Sequence, residues 1–219
     1  MYAVISKQQT QLPPGTMVRI PGSWDDYQTV CASRGDRSLP RIKYRNGEIW
    51  LMNPMPRHGR EANILADIVK VLLDCQDCNY EAFARITLKL PEEGEIEPDY
   101  CFYIDQWQVA IGRDRINGQV DPPPDLVLEV DVTSFTKVED YAVYRVPEVW
   151  ILRDTTLTIY ALVKTNPQDY AYEARSHSRY FPGMDLQRIS SSVFQSASTQ
   201  GTGAAIRQLR QRLSNADEF

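Results

Sequence analysis

Histidine and cysteine are scarce in this chain: two histidines and four cysteines among 219 residues. Cys75 and Cys78 form the one close pair, and no second close-spaced cysteine or histidine pair could complete four zinc ligands, because His58 and His177 are far apart. Reduced thiols near the end of a helix are the expectation. Long apolar runs are missing as well: nothing approaches eighteen consecutive apolar residues, and the first thirty residues lack the basic-then-apolar layout of a secretory signal. A soluble cytoplasmic protein with no membrane partner is therefore expected. There is no excess of basic residues either. A net charge of −5 argues against whole-surface affinity for nucleic acid but leaves room for a local basic groove. No internal repeat or low-complexity block occurs. What remains, 42% hydrophobic and 24% charged residues, is an ordinary globular composition, long enough for one domain with terminal additions and a substantial core.

Local patterns place the elements. Pro13-Pro14-Gly15 and Pro21 make the N-terminal stretch an irregular lead-in with a short strand near Met17 to Ile20. Ser23 can cap a helix from Trp24 to about Ser33, which Gly35 would end. Asn46-Gly47 between Arg41–Arg45 and Glu48–Met52 predicts a β-hairpin. Ile64, Leu65, Ile68, Leu72 and Leu73 recur at helical spacing, so Arg57 to about Cys75 is a long amphipathic helix, with Glu61 and His58 at its inner N-terminal end. His58 reads as a partly exposed helix-start residue. Strands are expected over Tyr80–Leu90, Ile96–Ile104 and Leu126–Val132, with a short one around Val109–Ile111. Thr133 or Ser134 can cap a following helix that ends near Arg145. Val149–Leu152 and Thr156–Val163 pair as a hairpin, Tyr170–Arg175 adds an edge, and helices over Leu186–Ala197 and Ala204–Leu213 flank Gly201-Thr202-Gly203.

The chemistry lies in two acidic strands. Glu97-Pro98-Asp99 leads into Tyr100–Ile104, and in Leu126–Asp131 the alternation of an extended chain puts Val127, Glu129 and Asp131 on one face. Clustered carboxylates repel one another and resist desolvation, so a hard divalent cation or a basic side chain should collect them. Lys137, eight residues after Glu129, falls in the first turns of the expected helix, where its long side chain can fold back over the acids. Asp99, Glu129, Asp131 and Lys137 together could carry out Mg²⁺- or Mn²⁺-assisted phosphodiester hydrolysis. The plainer alternative is a salt-bridged network at the edge of a sheet. The aromatic residues Tyr141, Tyr144 and Trp150 read as core.

Glu97-Pro98-Asp99, the run PPPDLVLEVDVTS from Pro122 to Ser134, and Lys137 and Tyr141 ahead of Val146-Pro147-Glu148-Val149-Trp150 resemble the Uma-two family of restriction endonucleases, within the PD-(D/E)XK nuclease superfamily. The resemblance covers roughly residues 40 to 195. It implies an α/β (α+β) fold, a restriction-endonuclease-like mixed central sheet flanked by helices, with an N-terminal hairpin and C-terminal helices. It also implies a lead-in and helix over 1–39, the nuclease-like domain over 40–197 and a helical tail over 198–219. Asp99 matches the aspartate of the PD element and Glu129 the acid of the second element. Asp131 stands where the superfamily often carries its lysine, so it is a third metal ligand or an acid that positions Lys137, the displaced lysine. Glu61 matches weakly an accessory acid.

Two functions compete. One is a Mg²⁺-dependent endonuclease on DNA, with Arg57, Arg60, Arg85, Lys89, Arg113 and Arg115 available for a basic rim. The other is a catalytically silent binding or assembly module that keeps the fold and forms a homodimer through its terminal helices and edge strands. A glycosidase-like acid pair is a distant third, lacking a sugar-stacking platform.

Overall fold

The computed structural model describes residues 4–5, 10–35, 40–45, 47–84, 86–90, 94–113, 116, 120–132, 136–166 and 169–215. The expected cap residues Thr133 and Ser134, and Arg85 and Arg115 of the expected rim, lie outside them. Among the described residues the architecture is mixed α+β, with two larger sheets and four helices. Strands β1 (Val4–Ile5) and β2 (Thr10–Gln11) form a small separate ladder. No helix among the described residues is long and apolar enough to cross a membrane.

An antiparallel five-stranded sheet is built from β3 (Thr16–Pro21), β4 (Arg41–Arg45), β5 (Glu48–Asn53), β7 (Leu88–Leu90) and β8 (Gly94–Ile96), in the order β3-β5-β4-β8-β7. The β4–β5 hairpin is where Asn46-Gly47 predicts it. Gly47 takes φ +78°, a conformation that costs a residue without Cβ very little. Alternation gives this sheet two unlike faces. Ile42, Ile49 and Leu51 pack beneath α1 (Trp24–Arg34) with Tyr27. Arg41, Lys43 and Arg45 emerge on the other side. Helix α1 begins at Ser23, whose side chain and that of Asp26 form a reciprocal capping box, and ends at Gly35.

The second large sheet has six strands in the order β13-β12-β11-β10-β9-β6: β6 (Glu81–Ala84), β9 (Tyr100–Tyr103), β10 (Leu126–Asp131), β11 (Glu148–Arg153), β12 (Thr156–Lys164) and β13 (Tyr170–Arg175). β10 and β11 run parallel, and the other described pairs in this sheet run antiparallel. One face carries Leu126, Leu128, Val130, Trp150 and Leu152 against α2 (Pro56–Cys75), α3 (Leu186–Gln200) and α4 (Thr202–Ser214). The opposite face buries Val127, Cys101, Val149 and Ile151 against Val138, Tyr141 and Tyr144, with Leu88 and Ile96 reaching across from the five-stranded sheet. Cys75 and Cys78 are free and exposed at the end of α2.

Four expectations are corrected. Tyr80–Leu90 is two strands, β6 and β7, in different sheets. Ile96–Ile104 is likewise divided between β8 and β9, because Pro98 has no N–H for a ladder and the chain changes sheets over Glu97-Pro98-Asp99. Trp107–Ala110 is a 3₁₀ turn where a strand was expected. The helix expected after β10 is replaced by a 3₁₀ turn, Val138–Tyr141, with Lys137 just before it in extended conformation (φ −93°, ψ 117°). Val138 and Tyr141 within it, and Tyr144 just beyond it, repeat every three positions, which suits three residues per turn better than 3.6.

Candidate active site

Asp99 ends the crossing between the sheets, one residue before β9. In the β9–β10 ladder Tyr100 faces Leu128, so Asp99 falls level with Glu129. It is fully enclosed and held from three sides. His58 Nε2 lies 2.7 Å from Oδ1, the Arg41 guanidinium donates to the same oxygen, and the Val130 N–H donates to Oδ2 at 2.9 Å. Burial alone would raise its pKa, but the His58 hydrogen bond and the Arg41 charge outweigh it and hold the carboxyl below its ordinary value. Arg41 is shifted upward in turn: burial opposes its charge, and Asp99 overcomes that.

Glu129 shares a face with Val127 and Asp131, as the alternation predicts. The Tyr141 hydroxyl donates to its Oε1, and Lys43 Nζ stands 3.8 Å from the same atom. Burial pushes its pKa up to about 7, and the negative charge of Asp99 adds to this against the pull of Lys43. Burial and the neighbouring Glu129 also carry the Tyr141 phenol well above its usual range. Two carboxylates from one sheet therefore meet a guanidinium and an ammonium from the other.

Asp131 is placed differently. Both of its oxygens accept the Thr136 N–H at 3.0 Å, Thr136 Oγ1 donates at 2.8 Å and Arg153 Nε donates at 2.8 Å. This carboxylate ties the end of β10 to Thr136 and to Arg153, which also donates to the Thr136 carbonyl. Among the described residues no group of three His, Cys, Asp or Glu side chains converges on one point. Of the three expected carboxylates, Asp99 and Glu129 lie level with each other, while Asp131 is bonded to Thr136 and Arg153. Lys137 is exposed and lines a groove with Arg41, Lys43, Arg45, Trp50 and Asp140, the last of which pairs with Arg45. Glu61 is buried in α2 but bonds Arg57 at 2.7 Å. His58, one turn earlier, reaches Asp99, which corrects its reading as a partly exposed residue.

Of the expected rim, Arg57 pairs with Glu61, Arg60 bonds the Ala197 carbonyl, Lys89 pairs with Glu95 and Arg113 with Asp121. The cations beside the carboxylates are instead Arg41 and Lys43. Their signal was present in the sequence: Arg41, Lys43 and Arg45 alternate along one hairpin strand, so they must share a face. Tyr141 is a core aromatic that also serves the site through its hydroxyl.

A pair of carboxylates fits Mg²⁺, which is commonly held by one or two carboxylates while it keeps several waters. The donor set here supports that fit. Glu129 is a buried acid whose charge the surrounding protein compensates incompletely, and the second oxygen of Asp99 accepts one backbone bond while retaining a lone pair.

The family model Uma2, described as "Putative restriction endonuclease", matches residues 24–188. The chain belongs to the Uma2 family. Among solved structures it is similar to a "putative nuclease belonging to DUF820" from Anabaena variabilis ATCC 29413, at 18% identity and a TM-score of 0.47, over 70% of this chain and 90% of that one. No curated protein matches the chain.

Proposed function

We propose that this chain is an endonuclease that hydrolyses DNA phosphodiester bonds, with Mg²⁺ or Mn²⁺ held by Asp99 and Glu129. One observation carries the reading: two buried carboxylates, Glu129 on β10 and Asp99 one residue before β9, lie level with each other beside a groove lined by Arg41, Lys43 and Lys137. When bound, the cation would lower the pKa of a coordinated water and offset charge growing on the phosphoryl oxygens. The protein's own groups do the rest. His58, Arg41 and the Val130 N–H fix Asp99 in its rotamer, and Tyr141 fixes Glu129. Lys43, beside Glu129, provides an ammonium where the attacked phosphate would rest. Lys137 stands in the same groove as a second phosphate contact, and Asp131 orients the turn that carries it.

The test is cleavage of plasmid and linear DNA with Mg²⁺ or Mn²⁺, alongside calorimetric titration of Mn²⁺ into wild type, Asp99→Asn and Glu129→Gln. Metal-dependent cleavage, and Mn²⁺ binding lost in both variants, are expected. Mn²⁺ binding of equal strength in all three proteins would remove the assigned ligands.

A second reading, a silent binding or assembly module forming a homodimer, is favoured by the internal pairing of Asp99 with Arg41 and His58. Under it, Mn²⁺ titration gives no heat and no DNA is cut.

A further inference from the structure

We infer that the five-stranded sheet face overlooking the carboxylates is a subsite for a single-stranded segment of DNA, with one unstacked base against Trp50 and flanking phosphates on Arg19 and Lys43. The inference deepens the nuclease reading and rests on it for location, while its own readout is binding.

Strand register provides the geometry. Trp50 on β5 pairs with Arg19 on β3 to one side and with Lys43 on β4 to the other. Directly paired residues share a face, so a cation, an indole and a second cation form one row across three strands. Two strand spacings, about 10 Å, separate the outer backbones. The row has a direction. Arg19 is exposed on the edge strand, whereas Lys43 reaches to within 3.8 Å of Glu129. A strand laid along it is led from solvent to the carboxylates.

The lining suits a nucleotide. The next row pairs Met17, Met52 and Arg41, and both methionines face the groove, where an unbranched, polarizable side chain adapts to any base. Arg19 Cζ lies 4.0 Å from the Trp50 ring centroid, so the ring is already used as a stacking surface. An incoming base takes the guanidinium's place on the indole and frees Arg19 for phosphate. Glu48 accepts the Trp50 indole N–H at 3.2 Å, which fixes the plane of the ring. Basic residues along a groove with an aromatic platform are how single strands are held without regard to sequence. A paired base in a duplex presents only its edges, so stacking on Trp50 selects single strands, overhangs or frayed ends.

The experiment is fluorescence anisotropy with a labelled thymidine oligonucleotide, its duplex and the corresponding uridine oligonucleotide, in EDTA so that no cleavage occurs. Wild type should bind the single strand about tenfold more tightly than the duplex. Arg19→Ala and Trp50→Leu should each weaken that binding about tenfold, and Arg19→Ala should also lower the slope of log affinity against log salt by about one. Arg19 is exposed, so its variant tests the subsite without disturbing the core. Equal affinity for duplex and single strand, or wild-type affinity in Arg19→Ala, overturns the inference. Tighter binding of the uridine strand overturns its assignment to DNA. Binding that responds to both substitutions with no cleavage under any metal removes the nuclease reading and leaves the subsite. Cleavage with unaltered affinity in Arg19→Ala does the reverse.

Discussion

His58 and Asp99 stand 41 residues apart in the chain and 2.7 Å apart in the fold, joined through Nε2 and Oδ1. The histidine projects from the first turn of α2, the helix that covers the far face of the six-stranded sheet, and both partners are buried. The helix that organises the main core therefore also fixes the side chain of the first acidic element.

Replacing His58 with alanine should accordingly act on stability and on the site together. A buried carboxylate that loses one of three partners costs about 1–3 kcal/mol. Urea unfolding of His58→Ala should show that loss, and Mn²⁺ affinity should fall with it. A variant as stable as wild type would mean that the contact contributes nothing to the fold.

The elevated pKa of Glu129 sets a pH dependence with a definite sign. An acid whose folded pKa lies above its unfolded value binds more protons when folded, so stability falls as pH rises from about 4.5 through about 7, then levels off. In metal-free protein, wild type should lose roughly 2–3 kcal/mol relative to Glu129→Gln across that window. The substitution keeps an acceptor for Tyr141 and removes the charge. Parallel stability-against-pH curves for the two proteins would contradict the shift.

The two lysines of the groove should differ in weight. Lys43 lies beside Glu129 and Lys137 is exposed, so removing the inner ammonium should cost cleavage about a hundredfold or more, the scale of losing one electrostatic stabiliser. Lys137→Met should cost about tenfold or less, chiefly as weaker DNA binding. Single-turnover rates at saturating DNA separate the two effects, and a larger loss for Lys137→Met would reverse the assignment.

Asp131 gives a structural prediction. Its bonds to Thr136 and Arg153 hold the turn after β10, so Asp131→Asn should destabilise the protein by about 1–2 kcal/mol while Mn²⁺ affinity stays within about twofold of wild type. A double-mutant cycle with Arg153→Ala should show coupling in stability. Loss of Mn²⁺ binding in Asp131→Asn would restore it to the ligand set.

Much of this was legible in the sequence for local reasons. The Ser23 cap of α1, the Asn46-Gly47 hairpin, the apolar stripe of α2 and the two-residue alternation around Glu129 are short-range signals, and each appears in the fold. Most of what was missed depended on partners distant in the chain. The stretch from Tyr80 to Ile104 has strand character throughout, and apart from Pro98, which interrupts it at the second crossing, its two passages between sheets are set by pairing with distant strands. The pairing of Asp131 with Arg153 and of Asp99 with His58 is set by tertiary packing, and the near-neighbour Lys137 drew attention from Lys43, 86 positions before Glu129. The 3₁₀ turn after β10 was readable, since its apolar spacing is three.

Of the two anions of the centre, Glu129 stands on one sheet and Asp99 just before its strand β9, and the two strong cations that face them stand on the other sheet. The centre is thus an electrostatic rivet through the seam of the molecule. Sliding one layer past the other would strip countercharge from Asp99 and Glu129 together, so any agent that weakens either pair also loosens the grip between the layers.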